Sequence, residues 1–132
     1  MLNYGNGVEI LKKMLTKVKK TFEGGLYVTA TPIGNLGDIT LRGVDLLKAA
    51  DLIACEDKRV SGKLLSYFDI KTPMISYHDH NADSVMPRLM DELNAGKIVA
   101  LISDAGTPLI SDPGYKLVNN CQKEGVMVTS LP

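Results

Sequence analysis

Short apolar stretches alternate with helix-like stretches from residue 26 to residue 130, and this alternation most constrains the fold. The apolar stretches have the length and residue types of strands, at residues 26–30, 52–55, 74–77, 97–102 and 126–130. The segments between them have the spacing of amphipathic helices, at residues 40–50, 60–68, 84–94 and 115–124. Strands that alternate with helices form parallel sheets through right-handed crossovers. The sequence therefore predicts an α/β fold, with an open, mainly parallel five-stranded sheet and helices on both faces.

Pro87 lies within the third predicted helix. A proline is tolerated in the first turn of a helix but not in its interior. We therefore expect this helix to begin near Met86 rather than at Ser84.

Composition excludes several classes of protein. At 132 residues and 45% hydrophobic content, the chain can build one core of ordinary size but hardly two domains. Lys and Arg together equal Asp and Glu at 15 each, so net charge gives no argument for a nucleic-acid partner. No stretch is long and apolar enough for a membrane span or a secretion signal. Cys55 and Cys121 lack CxxC spacing, which predicts reduced core thiols in a cytoplasmic protein.

The first 24 residues differ from the rest, and we treat residues 1–24 and 25–132 as separate regions. Residues 8–22 have apolar side chains at helical spacing with five lysines among them, which predicts a basic amphipathic helix. Such a helix either packs on the domain or on a second subunit, or contacts RNA or a membrane surface.

A ligand site is predicted in residues 103–114, directly after the fourth apolar stretch. This segment contains two carboxylates, three hydroxyls, two glycines and two prolines. Strand-to-helix connections usually need about two to six residues, so a segment about twice that length favours a ligand cradle over a simple turn. Open α/β sheets bind ligands at the carboxyl ends of their strands, where this segment would lie.

Residues 31–40, after the first apolar stretch, also contain two glycines and a proline. They are expected to face the same cleft, because parallel strands end at one edge of the sheet. Asp38 or Thr40 is expected to cap the helix that follows. Neither segment matches GxGxxG or GxxxxGK[ST], so a dinucleotide site and a Walker phosphate loop are poorly supported.

Charged and imidazole side chains follow the second and third apolar stretches. Residues 56–59 are either a solvated helix start or a contact for phosphate or ribose, which an arginine fork suits. His78 and His80 suit a proton carrier or hydrogen-bond partner in a cleft, or belong to a simple turn. No nearby cysteine or third histidine completes a ligand set, so we predict no metal site.

Four motifs, in this order and spacing, resemble the ribosomal RNA small subunit methyltransferase I family of the tetrapyrrole methylase (class III) superfamily. They are TPIGNLGDIT at 31–40, EDKR at 56–59, HDHN at 78–81 and SDAGTPLISDPGY at 103–115. The resemblance covers residues 25–132 and leaves residues 1–24 outside. One departure is Lys58, where the family usually has threonine.

The resemblance implies an enzyme that uses S-adenosylmethionine to methylate the 2′-hydroxyl of a cytidine in the decoding region of 16S (small-subunit) ribosomal RNA. It also implies a usually homodimeric protein with the cofactor between two domains. By motif, the cofactor would be lined by Pro32, Asp104, Ala105, Gly106, Thr107, Ile110 and Ser111. Asp57 or His80 would assist proton removal, and Glu56, Arg59 and Asn81 would lie toward the RNA.

The predicted last strand stops at Leu131 and Pro132 without a following helix. We therefore expect a truncated protein that lacks the second domain and is inactive alone. Two other functions stay open: another tetrapyrrole-type methylase, acting on a corrin precursor or a protein side chain, and a non-enzymatic RNA-binding or oligomerising remnant that uses residues 8–22.

Overall fold

A computed structural model describes residue 7 and residues 10–11, 22–31, 36–103 and 112–131. Five parallel strands form one sheet in the order β3-β2-β4-β1-β5, which confirms the predicted fold. The elements in chain order are β1 (Gly25–Ala30), a short 3₁₀ helix (Leu36–Asp38), α1 (Leu41–Ala49), β2 (Leu52–Cys55), α2 (Lys58–Tyr67), β3 (Met74–Ser76), α3 (Ala82–Asn94), β4 (Ile98–Ser103), α4 (Asp112–Lys123) and β5 (Val128–Leu131).

Alternate side chains of the sheet enter two separate hydrophobic cores, one on each face. Tyr27 of β1 packs in one core with residues of α1 and α2, such as Leu46 and Leu64. Leu26 packs in the other core with residues of α3 and α4, such as Leu89 and Leu117. Because both faces are covered, the central strands are mostly apolar, as parallel strands usually are.

The neighbouring strands β1 and β4 lead to helices on opposite faces of the sheet. Ala30 pairs with Ser103 at their ends, and the amide of Thr31 donates to the carbonyl of Ser103 at 3.1 Å. Connections that diverge from two adjacent parallel strands create the crevice where open α/β sheets bind ligands. The segments after β1 and β4 therefore begin side by side, as predicted. Residues 32–35 and 104–111 lie outside the described residues.

Two helix starts differ from the prediction. Helix α3 begins at Ala82 rather than near Met86, so Pro87 lies inside it. Pro87 and Asp83 are both exposed, so the Asp83 carbonyl that loses its helical partner can be hydrated. Helix α4 begins at Asp112, because Pro113 fits a first turn and an acidic side chain is favourable there. Helix α4 thus includes Asp112, Pro113 and Gly114, which the prediction had placed in the connection after β4.

The predicted helix over residues 8–22 lies mostly outside the described residues. Of its predicted members, Ile10 and Leu11 are helical, whereas Phe22 lies in a bend and is buried. The Phe22 ring meets the edge of Tyr27 with centroids 5.7 Å apart, and the Arg42 guanidinium lies 4.6 Å from its centroid. This end of the segment therefore packs on the domain.

Candidate functional site

An open cleft of about 470 Å³ lies at the carboxyl edge, beside the ends of β2 and β3. These strands end together, because Cys55 pairs with Ser76 and the amide of Tyr77 donates to the carbonyl of Cys55 at 2.8 Å. The residues that line the cleft are Glu56, Asp57, Val60, His78 and His80. The structure therefore brings together three of the residues selected from the sequence: Glu56, Asp57 and His80.

Asp57 caps helix α2 and holds Arg59. Its Oδ1 accepts a hydrogen bond from the Arg59 amide at 2.9 Å, and the Arg59 Nε and Nη2 atoms lie 3.5 Å from its two carboxylate oxygens. The backbone hydrogen bond from Arg59, followed by the side-chain hydrogen bond, lowers the pKa of the Asp57 carboxyl. Asp57 therefore stays ionised near neutral pH and is a poor proton acceptor. The Arg59 side chain is 92% exposed, so the ion pair leaves its guanidinium accessible to a ligand.

His78, His80 and Asn81 form a hydrogen-bonded loop between β3 and α3. The amide of His80 donates to Nδ1 of His78 at 3.2 Å, and the two imidazole centroids are 5.9 Å apart. Because Nδ1 of His78 accepts this bond, the proton of a neutral His78 ring is placed on Nε2. His80 is exposed and His78 is half-buried, so the two rings present different surfaces to the cleft.

The Asn81 side chain fastens this loop. Its Oδ1 accepts from the amide of His78 at 2.8 Å, and its Nδ2 donates to the carbonyl of Ser76 at 2.9 Å. Both ends of the amide are thus engaged with backbone. The structure gives Asn81 a role in shaping the cleft, while the RNA contact predicted for it stays a prediction.

Tyr77 connects this loop to the other side of the edge. Its buried hydroxyl donates to the carbonyl of Pro113, in the first turn of α4, at 2.6 Å. Burial, aided by the negative charge of Asp83, raises the pKa of Tyr77 to about 12.

All seven residues predicted to line a cofactor lie outside the described residues: Pro32, Asp104, Ala105, Gly106, Thr107, Ile110 and Ser111. The structure describes the anchors of their segments, Thr31, Ser103 and Asp112, and places the first two against each other. Of the two predicted caps for α1, it selects Thr40, whose hydroxyl accepts from the Gly43 amide at 3.0 Å.

Cys55 and Cys121 are buried and neither forms a disulfide, as the sequence predicts. Within the described residues, no three His, Cys, Asp or Glu side chains are grouped in a way that could hold a metal ion. No helix in the described ranges has the length and apolarity needed to cross a membrane.

Sequence reasoning assigned no role to two residues of this site, Val60 and Tyr77. Val60 lies in the cleft wall and is 58% exposed. Its position directly after the charged residues 56–59 was the one feature of the sequence that could have marked it as part of the site. His78 was a candidate from the sequence, and the structure adds that its ring accepts a hydrogen bond from the His80 amide. Tyr77 gave no signal, because its partner lies 36 residues away in the chain.

Comparison with known proteins identifies relatives over most of the chain. The family model for tetrapyrrole (corrin/porphyrin) methylases matches residues 25–132. Proteins named ribosomal RNA small subunit methyltransferase I are 54% identical over 83% of this chain in Halalkalibacterium halodurans and 55% identical over 81% in Vibrio cholerae. The Bacillus subtilis protein of that name is 44% identical over 93% of this chain. The chain spans 38%, 37% and 42% of the length of these three relatives.

Solved structures share the fold at low sequence identity. A cobalt precorrin-4 methyltransferase of cobalamin biosynthesis matches with a TM-score of 0.67 and 22% identity, covering 81% of this chain and 44% of that one. The uroporphyrin-III C-methyltransferase of Thermus thermophilus matches with a TM-score of 0.63 and 18% identity, covering 83% of this chain and 47% of that one. Identities this low support the shared architecture alone.

Proposed function

The chain belongs to the tetrapyrrole (corrin/porphyrin) methylase family, and from this premise we propose that it is the cofactor-binding part of a methyltransferase that uses S-adenosylmethionine and acts on small-subunit ribosomal RNA. The names of its relatives support the RNA substrate. The observation that carries the proposal is the layout of one sheet edge. The crevice between β1 and β4 adjoins, through β2, a cleft lined by two carboxylates and two imidazoles.

The crevice fits the cofactor by its chemistry. S-adenosylmethionine supplies an electrophilic methyl group on a sulfonium, and it carries ribose hydroxyls and an amino-acid group that need polar partners. The proposed residues are Pro32 after β1 and, after β4, the run 104–107 with Ile110 and Ser111. This run contains a carboxylate, hydroxyls and a glycine, and it follows Ser103 directly in the sequence. Such groups collect where the connections of an open α/β sheet diverge.

The cleft suits the sugar of a nucleotide. Its volume of about 470 Å³ is in the usual range for small-molecule sites, about 300–1,000 Å³. Glu56 and Asp57 would repel a phosphate inside the cleft but accept hydrogen bonds from a sugar. The exposed Arg59 guanidinium at the rim suits a backbone phosphate, because its planar fork can bind two oxygens. We assign the cleft to the 2′-hydroxyl of a cytidine, and Glu56 and Arg59 to contacts with RNA.

His80 is the proposed proton acceptor. It is exposed to the cleft, whereas Asp57 is engaged with Arg59 and holds its proton weakly. Asp57 then serves as a fixed negative charge in the lining of the cleft. Alignment of the acceptor oxygen with the methyl group is the larger contribution, since orientation is worth on the order of 10⁵–10⁸ M in effective molarity.

For the chain by itself we propose weak cofactor binding and no methyl transfer. The cleft is open and Arg59 is almost fully exposed, so this edge alone neither excludes water nor encloses a substrate. The whole protein is proposed to be a homodimer of two-domain subunits. A reducing compartment such as the cytoplasm suits its two buried thiols, which form no disulfide.

A methylation assay tests these roles in a full-length equivalent, a protein of the relatives' length that carries this domain. Labelled methyl groups are followed into small-subunit ribosomal RNA, and the product is mapped for a 2′-O-methyl cytidine. We expect His80→Gln to lower kcat by about 10²–10⁴, the usual contribution of a general base. The matched control is Asp79→Asn, between the two histidines but outside the cleft lining, which should leave kcat unchanged. Undiminished turnover after replacement of both Asp57 and His80 would reject the assignment.

A further inference from the structure

One buried hydrogen bond spans the two halves of the carboxyl edge. Tyr77 follows β3 directly, its side chain is 3% exposed, and its hydroxyl donates to the carbonyl of Pro113 at 2.6 Å. Pro113 is itself buried in the first turn of α4, the helix that begins where residues 104–111 end. The bond thus links the end of an edge strand to the helix that anchors the segment after β4.

The backbone of Tyr77 is fixed on its other side. Its amide donates to the carbonyl of Cys55 at 2.8 Å, which ties it to the end of β2. The next residue, His78, has its amide held by the Asn81 side chain at 2.8 Å and accepts from His80 through its ring. Tyr77 is therefore connected directly to the hydrogen-bonded loop that carries both imidazoles.

We propose that Tyr77 is a positioning residue, whose hydroxyl holds the histidine loop (residues 78–81) and the first turn of α4 as one cooperative unit. This inference rests on the proposed function in one respect: the segment that α4 anchors is the one proposed to hold the cofactor. The bond would then fix the spacing between the methyl donor and the proton acceptor. Tyr77 touches neither, so its effect is exerted through the two elements that it joins.

The tether persists at every physiological pH. Desolvation keeps the hydroxyl protonated well above pH 10, so it donates its proton throughout this range. The hydrogen bond between Tyr77 and Pro113 is therefore insensitive to pH in the physiological range.

Tyr27 provides a matched control. Its side chain is 5% exposed, and its hydroxyl donates to a backbone carbonyl, that of Glu23, at 2.7 Å. Tyr27→Phe therefore removes the same kind of bond in the other core, away from the histidine loop. Both substitutions keep the ring and its packing, so both variants should fold.

Hydrogen exchange followed by mass spectrometry or NMR tests the proposal on the chain without any ligand. The loss of one hydrogen bond corresponds to about a 2- to 13-fold change in a local opening equilibrium. In Tyr77→Phe we expect exchange to rise by this factor both at the amides of residues 78–81 and in the first two turns of α4, with other protected amides unchanged. Tyr27→Phe should affect neither region. Equal patterns in the two variants, a rise at only one end of the bond or a uniform rise over the whole domain would overturn the proposal.

A second arm adds S-adenosylhomocysteine and separates this proposal from the proposed function. We expect the ligand to slow exchange at residues 78–81 in the unmodified chain and in Tyr27→Phe, but not in Tyr77→Phe. Absence of any ligand effect in the unmodified chain would count against the cofactor assignment, while the ligand-free arm still decides the role of Tyr77. Equal slowing in all three proteins would contradict the coupling.

Discussion

At the scale of single residues, the site is shaped by side chains that bind backbone. Asp57 caps α2, Thr40 caps α1, and Asn81 holds the turn between β3 and α3. In each case a short polar side chain satisfies amides or carbonyls that a tight turn or helix end leaves without partners. Such residues near a cleft fix the backbone conformation around it, even where they contact no ligand.

Replacement of Asn81 by alanine removes the two hydrogen bonds that its side chain makes with the backbone, to the His78 amide and the Ser76 carbonyl. We expect the free energy of unfolding to fall by about 1–3 kcal/mol, from two hydrogen bonds at about 0.5–1.5 kcal/mol each, as measured by urea denaturation. The control is Asn94→Ala. Asn94 is the exposed last residue of α3, the helix that follows Asn81, and its replacement should change the free energy of unfolding by less than about 0.5 kcal/mol. Equal losses in both variants would show that the loop does not depend on the Asn81 amide.

Thr29 of β1 has a fully buried hydroxyl without a hydrogen-bond partner within the described residues. Burial of such a group costs about 1–3 kcal/mol. Thr29→Val replaces the hydroxyl with a methyl group of similar size and should raise the free energy of unfolding by about this amount, while Thr29→Ser should lower it by opening a cavity. A valine variant no more stable than the unmodified chain would mean that the hydroxyl is satisfied.

At the scale of elements, glycines show where the backbone leaves no room and where it does. A Cβ on Gly24, just before β1, would overlap the carbonyl oxygen of Gly96. A Cβ on Gly62, inside α2, would lie 3.7 Å from Cε of Met74, an ordinary contact. The first glycine lets the start of β1 approach the turn before β4, and the second has no such purpose.

The same substitution should therefore have opposite effects at these two positions. Gly24→Ala forces backbone to move and should cost about 1–3 kcal/mol. Gly62→Ala should stabilise the chain by about 0.5–1 kcal/mol, because alanine favours a helix over glycine by that amount. Thermal unfolding of both variants measures the pair, and a loss of stability in both would show that Met74 cannot tolerate the added methyl group.

At the scale of the whole molecule, the architecture was predictable and the tertiary contacts of the site were not. Apolar strands buried on both faces and helices of helical period are local patterns, so the order and type of the elements follow from the sequence. The predicted start of α3 was wrong. Pro87 is tolerated inside this helix because it is exposed, and its exposure depends on which side of the helix faces the core. The bond from Tyr77 to Pro113 depends on how β3 and α4 pack, and no local pattern encodes it.

Two buried acidic protons make the stability of the whole domain fall at alkaline pH. Burial raises the pKa of Cys121 from 9.0 to about 11, and it raises the pKa of Tyr77 from 10.0 to about 12. Because the folded state binds these protons more tightly than the unfolded state, their contribution is complete below pH 9 and is lost as pH rises to about 12. Urea denaturation should show the free energy of unfolding falling across pH 9–12, by at most about 1.4 kcal/mol per pH unit for each group.

Single variants separate the two groups. Cys121→Ala should remove the contribution of the thiol to the fall, between pH 9 and 11, and Tyr77→Phe should remove the contribution of the phenol, between pH 10 and 12. A pH dependence that is unchanged in both variants would assign the alkaline loss to other groups.

The central claim is that the crevice where β1 and β4 diverge binds the cofactor, and an NMR titration of the ¹⁵N-labelled chain with S-adenosylhomocysteine tests it most directly. We predict shifts concentrated at the amides of Thr31, Ser103 and the first turn of α4, with a dissociation constant in the micromolar range or weaker. Shifts confined to the opposite edge, around Gly24, Asp51 and Lys97, or no shifts at millimolar ligand, would contradict the account.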